Sequence, residues 1–246
     1  MLNLQKQLIF QQFKQIFMES GNPIAYTIGG NFDPNSVDQE RVVLLSLVVD
    51  RSGSTRSYES DFNRALREFL EAESKSHIAE ELFFQLVTFG SDVTIDSGFQ
   101  PVVGFDVNSI NVKNSGDLTA GFDAVRIALE SMFQYGKQLE KSGTDVRYNL
   151  CVITDGEFNE GSDCDGHSVR QLLLAVRNDE RMYGKTTVFM YGVGNQSTFE
   201  SARDAMGFDP SALLAYGASG ADFKKMLQTV SQSVSKSSSG QAVPNF

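Results

Sequence analysis

The chain has 246 residues, of which 41% are hydrophobic, 21% charged and 11% aromatic, with no tryptophan. This length and composition fit one large α/β domain, or at most two small ones, able to fill a core, and they exclude wholesale disorder. The 31 acidic and 21 basic residues give a formal net charge of −10. A nucleic acid backbone would therefore meet net repulsion, and nucleic acid is not expected as a partner.

Membrane and secretory segments are not expected. The most apolar run, residues 42–49, is interrupted by Ser46 and falls far short of the roughly 20 residues that cross a bilayer. The first 17 residues mix Gln and Lys with apolar residues and lack a small-residue cleavage site. The two cysteines, Cys151 and Cys164, have neither zinc-type spacing nor partners for a disulfide framework. We expect a reducing, cytoplasmic setting and no membrane contact.

Residues 1–40 are predicted to form an N-terminal helical extension and a connector. Within residues 1–19, apolar side chains recur near the helical period of 3.6, which predicts one apolar stripe: Leu2, Ile9, Phe13, Ile16 and Phe17. Residues 20–39 are rich in glycine and proline, which favours a connector over regular structure.

Residues 41–235 are predicted to form the domain itself. Its first strand, VVLLSLVV at 42–49, is apolar on both faces, as a strand buried between two layers would be. The segment 82–89 is a second strand, and a Gly-Ser-Asp turn joins it to 93–99 as an antiparallel hairpin partner. Helical spacing of apolar residues alternates with these and later strands, ending in a helix that carries Phe223, Met226, Leu227, Val230 and Val234.

Strands that alternate with helices predict an α/β fold with a doubly wound, mostly parallel sheet, helices on both faces and one antiparallel edge strand. Further strands are predicted at 148–154 and 186–193. The serine-rich residues 236–246 are predicted to be a disordered tail. In open sheets of this kind, ligands bind beyond the carboxyl ends of the strands.

Oxygen-bearing side chains collect at that edge of the predicted sheet. Asp50 ends the first strand, and Ser52 and Ser54 follow it. Thr119 precedes the second long helix, and Asp155 directly follows the strand 148–154. Carboxylate and hydroxyl oxygens are hard ligands of the kind that Mg²⁺ prefers, and one short loop cannot supply a six-oxygen shell alone. The pattern therefore indicates a cation site built from three loops.

At these residues the sequence resembles the von Willebrand factor type A (vWA) domain and its metal-ion-dependent adhesion site (MIDAS). The family pattern is D-x-S-x-S, then a distant Thr, then an Asp at the end of a strand, and all five positions are filled here. The resemblance covers roughly residues 41–234. The segment LVTFGSDV, followed by a short strand and the threonine loop, is most similar to bacterial tellurium-resistance-type vWA proteins.

The resemblance implies a role for each matched residue. Ser52, Ser54 and Thr119 would ligate the ion through their hydroxyls, while Asp50 and Asp155 would act directly or through water. The remaining coordination position would accept an Asp or Glu carboxylate from a partner protein. Neutral hydroxyls leave much of the ion's charge uncompensated, so the metal still attracts an anionic oxygen. Mg²⁺ is the expected cation, with Mn²⁺ or Ca²⁺ as alternatives.

The function predicted from these residues is a metal-dependent protein-binding or scaffold module, which the resemblance connects with bacterial stress-response or defence systems. An enzyme is not expected, because the sequence shows no general base and no nucleophile paired with one. A Mg²⁺-dependent phosphohydrolase is the first alternative, although such enzymes of the haloacid-dehalogenase type have a second Asp where this chain has Ser52. A structural subunit of a larger assembly is the second.

Several neighbouring features have simpler interpretations. Asp117 is expected to cap a helix, and Glu157 to be a solvated loop residue. The acidic loop 160–167 is a weak candidate for a second ion site, because it lacks the terminal Glu of a calcium loop. Gly192 and Gly194 indicate a tight turn rather than a dinucleotide site. Three further residues flank the expected cation: Arg51, Arg56 and Tyr58.

Overall fold

The computed structural model describes residues 32–115, 118–156, 158–159, 166–193, 199–241 and 244–246. Within these residues one sheet contains β1 (Arg41–Asp50), β2 (Leu82–Phe89), β3 (Val93–Pro101), β4 (Asp145–Thr154), β5 (Thr186–Val193) and β6 (Leu213–Tyr216). The strand order is β3-β2-β1-β4-β5-β6. All neighbouring pairs are parallel except β2 and β3. The predicted mostly parallel sheet with one antiparallel edge strand is confirmed.

Helices cover both faces of this sheet, as predicted. They are α1 (Glu59–Glu73), α2 (Gly121–Lys141), α3 (His167–Arg177), α4 (Glu180–Tyr183), α5 (Glu200–Met206) and α6 (Gly220–Ser238). α1 and α6 pack on one face, and α2, α3 and α5 pack on the other. No helix in the described part of the chain is long and apolar enough to span a membrane.

β1 is buried on both faces because its residues alternate between the two cores. Val42 and Leu44 contact the core under α2 and α3, whereas Val43 and Leu45 contact the core under α1 and α6. All of β1 except Arg41 is buried. The continuous apolar run is therefore the signature of a strand between two helical layers.

One polar chain crosses the otherwise apolar centre of the sheet. Ser46 of β1 lies opposite Gln85 of β2, and its hydroxyl donates to Gln85 Oε1 at 3.1 Å. Gln85 Nε2 in turn donates to the hydroxyl of Ser131 on α2 at 2.7 Å. Hydrogen bonding between buried polar groups removes the cost of leaving them unpaired. This series of hydrogen bonds explains why a serine interrupts the apolar run of β1.

The winding of the sheet reverses between β1 and β4. From β1 the chain passes to β2 on one side, and it later returns to β4 on the other side of β1. Such a reversal leaves a crevice at the carboxyl ends of the two strands, where ligands bind in open α/β sheets. Asp50 ends β1 and Thr154 ends β4, so both residues lie at this crevice.

The two ends of the chain compare differently with the prediction. Residues 1–31, which include the predicted N-terminal helix, lie outside the described residues. The predicted disordered tail at 236–246 differs from the structure. α6 continues to Ser238, the Val188 amide donates to Asn245 Oδ1 at 2.9 Å, and Phe246 is buried against Tyr183. The serine-rich composition of this segment led to the prediction of disorder, because composition contains no information about contacts with distant residues.

Candidate metal centre

The structure places the five predicted site residues on three loops at the carboxyl edge of the sheet. Asp50 is the last residue of β1, and Ser52 and Ser54 lie at the start of a short 3-10 helix, Gly53–Ser57. Thr119 lies two residues before α2, and Asp155 follows β4 directly. The parallel strands β1 and β4 end at the same edge, which is why residues about a hundred positions apart meet there.

Asp50 is a buried carboxylate whose oxygens are both hydrogen-bonded. The Ser52 amide donates to Oδ1 at 2.8 Å, and the Thr154 hydroxyl donates to Oδ2 at 2.6 Å. Burial raises the pKa of Asp50, the hydrogen bonds from Ser52 and Thr154 oppose that rise, and the nearby charge of Asp155 adds to it. The hydrogen bonds fix the orientation of the carboxylate, so its position does not depend on a bound ion.

The first and third loops are joined through the hydroxyls of the two serines. Ser52 Oγ lies 3.1 Å from Ser54 Oγ, and Ser54 Oγ donates to Asp155 Oδ1 at 2.7 Å. A chain of closely spaced oxygens therefore runs from the loop after β1 to the loop after β4. Four of the five predicted residues, Asp50, Ser52, Ser54 and Asp155, are brought together in this way.

Thr119 has no hydrogen bond to the other four predicted residues in the described part of the chain, but its backbone is bonded to Asn159, four residues after Asp155. Its amide donates to Asn159 Oδ1 at 3.0 Å, and its carbonyl accepts from the Asn159 amide at 3.2 Å. The next amide, that of Ala120, donates to the Gly90 carbonyl at 2.7 Å. Thr119 is 5% exposed. The second loop is therefore held between the end of β2 and the loop that carries Asp155.

Tyr58 and Thr154 lie beside the site carboxylates, although the sequence analysis assigned no ligand role to either residue. Burial raises the pKa of the Tyr58 phenol, and the neighbouring carboxylates of Asp155 and Asp50 add to that rise. Its ring packs on Phe223 of α6, with ring centroids 5.3 Å apart. The signal for Thr154 was its position at the end of a strand beside Asp155.

The two site carboxylates have neutral partners only. Among the described residues, neither Asp50 nor Asp155 forms an ion pair. Arg51 pairs with Asp92 at 2.8 Å, and Arg56 donates to the Asn114 side chain at 3.3 Å. Two carboxylates held close together without a cation create a negative potential at the rim.

The donor set fits a small, hard cation. Mg²⁺ binds six oxygens at about 2.0–2.1 Å, so neighbouring ligand oxygens in its octahedral shell lie about 3 Å apart. The 2.7 and 3.1 Å separations around Ser54 are close to that spacing. The described residues contain no group of three or more His, Cys, Asp or Glu side chains suited to a metal. A cation at this rim would therefore depend on the hydroxyls as well as on the two carboxylates.

Other predicted features fall partly or wholly outside the described residues. Asp117, Glu157, Cys164 and residues 160–165 of the acidic loop lie outside them, as does the glycine at 194 in the predicted turn. Cys151 is a buried free thiol within β4. The predictions for the undescribed residues therefore stay predictions.

Comparison with known proteins gives no match by sequence and a clear match by fold. No protein-family model and no curated protein matches the chain. Proximal thread matrix protein 1 (PTMP1) from the mussel byssus, solved with zinc in its MIDAS motif, aligns with a TM-score of 0.56 at 15% identity. That alignment covers 79% of this chain and 48% of PTMP1, so the chain spans about half the length of that protein.

Two bacterial pilus proteins share the same fold. The pilus adhesin SpaC from Lactobacillus rhamnosus GG aligns with a TM-score of 0.56 at 15% identity, over 80% of this chain and 30% of SpaC. The PilB minor pilin from Streptococcus sanguinis aligns with a TM-score of 0.52 at 11% identity, over 82% and 63% of the two chains. At these identities the likeness shows the fold alone, and the vWA-like α/β fold implied by the sequence resemblance is confirmed.

Proposed function

We propose that this chain is a metal-dependent protein-binding module that captures an acidic side chain of a partner through one divalent cation. Asp50, Ser52, Ser54, Thr119 and Asp155 would hold the ion. When bound, the cation supplies a coordination position with a strong preference for an anionic oxygen. The chain's own residues would hold the ion at the rim of the sheet, and a partner's carboxylate would supply the remaining ligand.

The observation that carries this proposal is the oxygen chain from Ser52 through Ser54 to Asp155, beside the buried carboxylate of Asp50. Two carboxylates without a cationic partner lower the stability of the fold unless something external compensates them. A divalent cation would do so. Because the remaining ligands are neutral hydroxyls, the bound ion would keep enough charge to attract a further carboxylate.

The neighbours with the same fold support a role in protein recognition. PTMP1 holds zinc in its MIDAS motif, and SpaC is an adhesin. Hard oxygen donors favour Mg²⁺ here, with Mn²⁺ or Ca²⁺ as alternatives. We further propose that the module acts in the cytoplasm within a bacterial stress-response or defence system, as the similarity to tellurium-resistance-type proteins implies.

Peptide selection tests the proposal without knowledge of the partner. A displayed library of random peptides is bound to the immobilised protein in MgCl₂ and eluted with EDTA. We expect the eluted peptides to be enriched in Asp and Glu. The same selection on Asp50→Asn should yield no such enrichment, whereas Asp204→Asn, which alters an exposed carboxylate paired with Arg203, should behave as the wild type.

Three outcomes would contradict the proposal. Peptides that bind equally well in EDTA would show recognition without a metal and would favour a purely structural subunit. Equal enrichment on wild type and Asp50→Asn would remove Asp50 from the site. Mg²⁺-dependent turnover of phosphate esters that disappears in Asp50→Asn would favour the phosphohydrolase instead.

A further inference from the structure

Asn159 binds both backbone polar groups of Thr119. Its side-chain Oδ1 accepts a hydrogen bond from the Thr119 backbone amide at 3.0 Å, and its backbone amide donates to the Thr119 carbonyl at 3.2 Å. Two antiparallel hydrogen bonds between one pair of residues fix both the separation and the rotation of the backbones that they join. The position of the threonine is therefore set by the loop that carries Asp155.

The residue before Asn159 anchors it independently of any ion. The ring of Phe158 lies edge-to-face with Phe89, at 5.7 Å between centroids, and with Phe122, at 5.0 Å. The same ring covers Gly121 so closely that a Cβ there would clash with it. The third loop is thus held against the start of α2 by apolar packing, and Asn159 extends that anchor to Thr119.

Asn114 makes the matching connection between the first and second loops. Its side-chain Nδ2 donates to the Ser52 carbonyl and, at 3.3 Å, to the Thr55 hydroxyl, while its backbone amide donates to Glu59 Oε2 at 2.9 Å. The adjacent Ser115 amide donates to the Arg51 carbonyl at 2.9 Å. These bonds hold residues 114 and 115, which precede the threonine loop in the chain, against the loop of the two serines.

From these contacts we infer that Asn159 is a positioning residue, assisted by Asn114, that sets the separation of the three loops before a cation arrives. This inference rests on the proposed function and concerns the selectivity of the same site. Mg²⁺ requires near-ideal octahedral geometry, whereas Ca²⁺ accepts longer and more variable distances. A pre-set donor spacing therefore favours Mg²⁺ or Mn²⁺ over Ca²⁺, and loosening it weakens Mg²⁺ binding more than Ca²⁺ binding.

Calorimetric titration of the full chain with MgCl₂ and with CaCl₂ tests the inference. In Asn159→Ala we expect roughly a tenfold loss of Mg²⁺ affinity, the usual scale for residues that orient metal ligands, and a distinctly smaller loss for Ca²⁺. Asn159→Asp keeps the acceptor for the Thr119 amide. Its added negative charge should increase the affinity for both ions, so the ratio of the Mg²⁺ affinity to the Ca²⁺ affinity should stay near that of the wild type.

A double-mutant cycle shows whether Asn159 acts through Thr119. Thr119→Val removes the ligand hydroxyl and keeps the shape of the side chain, so adding Asn159→Ala should cause little further loss. Asn114→Ala should shift the ratio in the same direction as Asn159→Ala. Asn178→Ala, which removes an exposed side chain bonded to the Leu174 carbonyl, is the control and should change neither affinity.

The outcomes separate this inference from the proposed function. Equal losses for Mg²⁺ and Ca²⁺ in Asn159→Ala, or a lower melting temperature with an unchanged affinity ratio, would reduce Asn159 to a structural residue. An undiminished effect of Asn159→Ala in the Thr119→Val background would show that it does not act through Thr119. Wild type that binds no Mg²⁺, or binds it no better than Asp50→Asn, would overturn the proposed function and this inference together.

Discussion

The two edges of the sheet treat their aspartates in opposite ways. At the amino edge, Asp145 begins β4 and lies within 3.3 Å of the side-chain nitrogens of Arg41, Arg147 and Lys185. At the carboxyl edge, ten residues further along the chain, Asp155 accepts a hydrogen bond from the neutral hydroxyl of Ser54. One edge therefore compensates its carboxylate with cations and the other does not.

The pKa directions follow this difference. Burial acts to raise the pKa of Asp145, but the hydrogen bond from Lys185 and the charges of Arg147 and Lys185 outweigh it and lower the pKa. For Asp50 burial prevails, and its pKa is raised. A carboxylate with a lowered pKa stabilises the fold at neutral pH, and one with a raised pKa destabilises it. The amino edge thus supports the fold, and the carboxyl edge leaves its carboxylates without a cationic side chain, which is what the proposed cation binding requires.

The largest expected effect is the response to Mg²⁺. A ligand at a hundred times its dissociation constant adds about 2.7 kcal/mol to the free energy of unfolding. Wild type and Asp145→Asn should both gain this increment, because Asp145 lies at the other edge, whereas Asp50→Asn should gain none. Thermal unfolding in MgCl₂ and in EDTA measures all three. An equal gain in Asp50→Asn would break the comparison.

Glycine substitutions at the two edges should differ by somewhat less. In Gly121→Ala the new methyl meets the ring of Phe158, and we expect a loss of about 2 kcal/mol from overpacking. Gly184 lies near the amino edge with open space around it and a helical backbone, so Gly184→Ala should be neutral or stabilise by about 0.5 kcal/mol. Urea unfolding gives both values, and similar losses at the two positions would contradict the close packing at Gly121.

Removal of the compensated carboxylate should have a modest, pH-dependent effect. Asp145 is partly exposed, so solvent screening limits the expected loss in Asp145→Asn to about 1 kcal/mol at neutral pH. Because its pKa in the folded state lies below the unfolded value of about 3.9, the stabilisation is complete above about pH 5. It disappears as the pH falls through the folded pKa. Unfolding of both proteins across that range should show the difference closing; a constant difference would assign the loss to packing.

The smallest expected effect has the opposite sign. In EDTA, the free energy of unfolding of Asp50→Asn should equal that of wild type or exceed it by up to about 0.5 kcal/mol. The reason is that the substitution removes a buried charge near Asp155. Denaturant titration in EDTA provides the measurement. A loss greater than about 1 kcal/mol would mean that the Asp50 carboxylate supports the fold as Asp145 does.

The sequence predicted the elements whose signals are local. The apolar run of β1, the antiparallel partner after Phe89 and the helical spacing around Phe223 all correspond to observed elements. Asp50, Ser52, Ser54 and Asp155 were placed at one edge because strand ends are readable from sequence, and parallel strands bring them together. The ligand roles themselves stay predictions.

The residues that the sequence did not predict depend on contacts between distant segments. Asn159 and Asn114 are residues of a type common in loops, and no local sequence pattern distinguishes them. Their contacts between loops are visible only in the folded structure. Asn245 and Phe246 follow a serine-rich segment, and their burial depends on β5 and on Tyr183. Local composition does not contain information about such partners.

The hydrogen-bonded chain of Ser46, Gln85 and Ser131 also bears on how the strands choose their alignment. Because β1 and β2 are apolar on both faces, sliding one strand past the other by a single residue would bury nearly as much hydrocarbon, and hydrophobicity alone leaves the alignment poorly specified. Such a slip would leave the buried side chains of Ser46, Gln85 and Ser131 without their hydrogen-bond partners. The internal serine therefore specifies the register of β1 against β2, and this register determines where Asp50 lies at the carboxyl edge of the sheet.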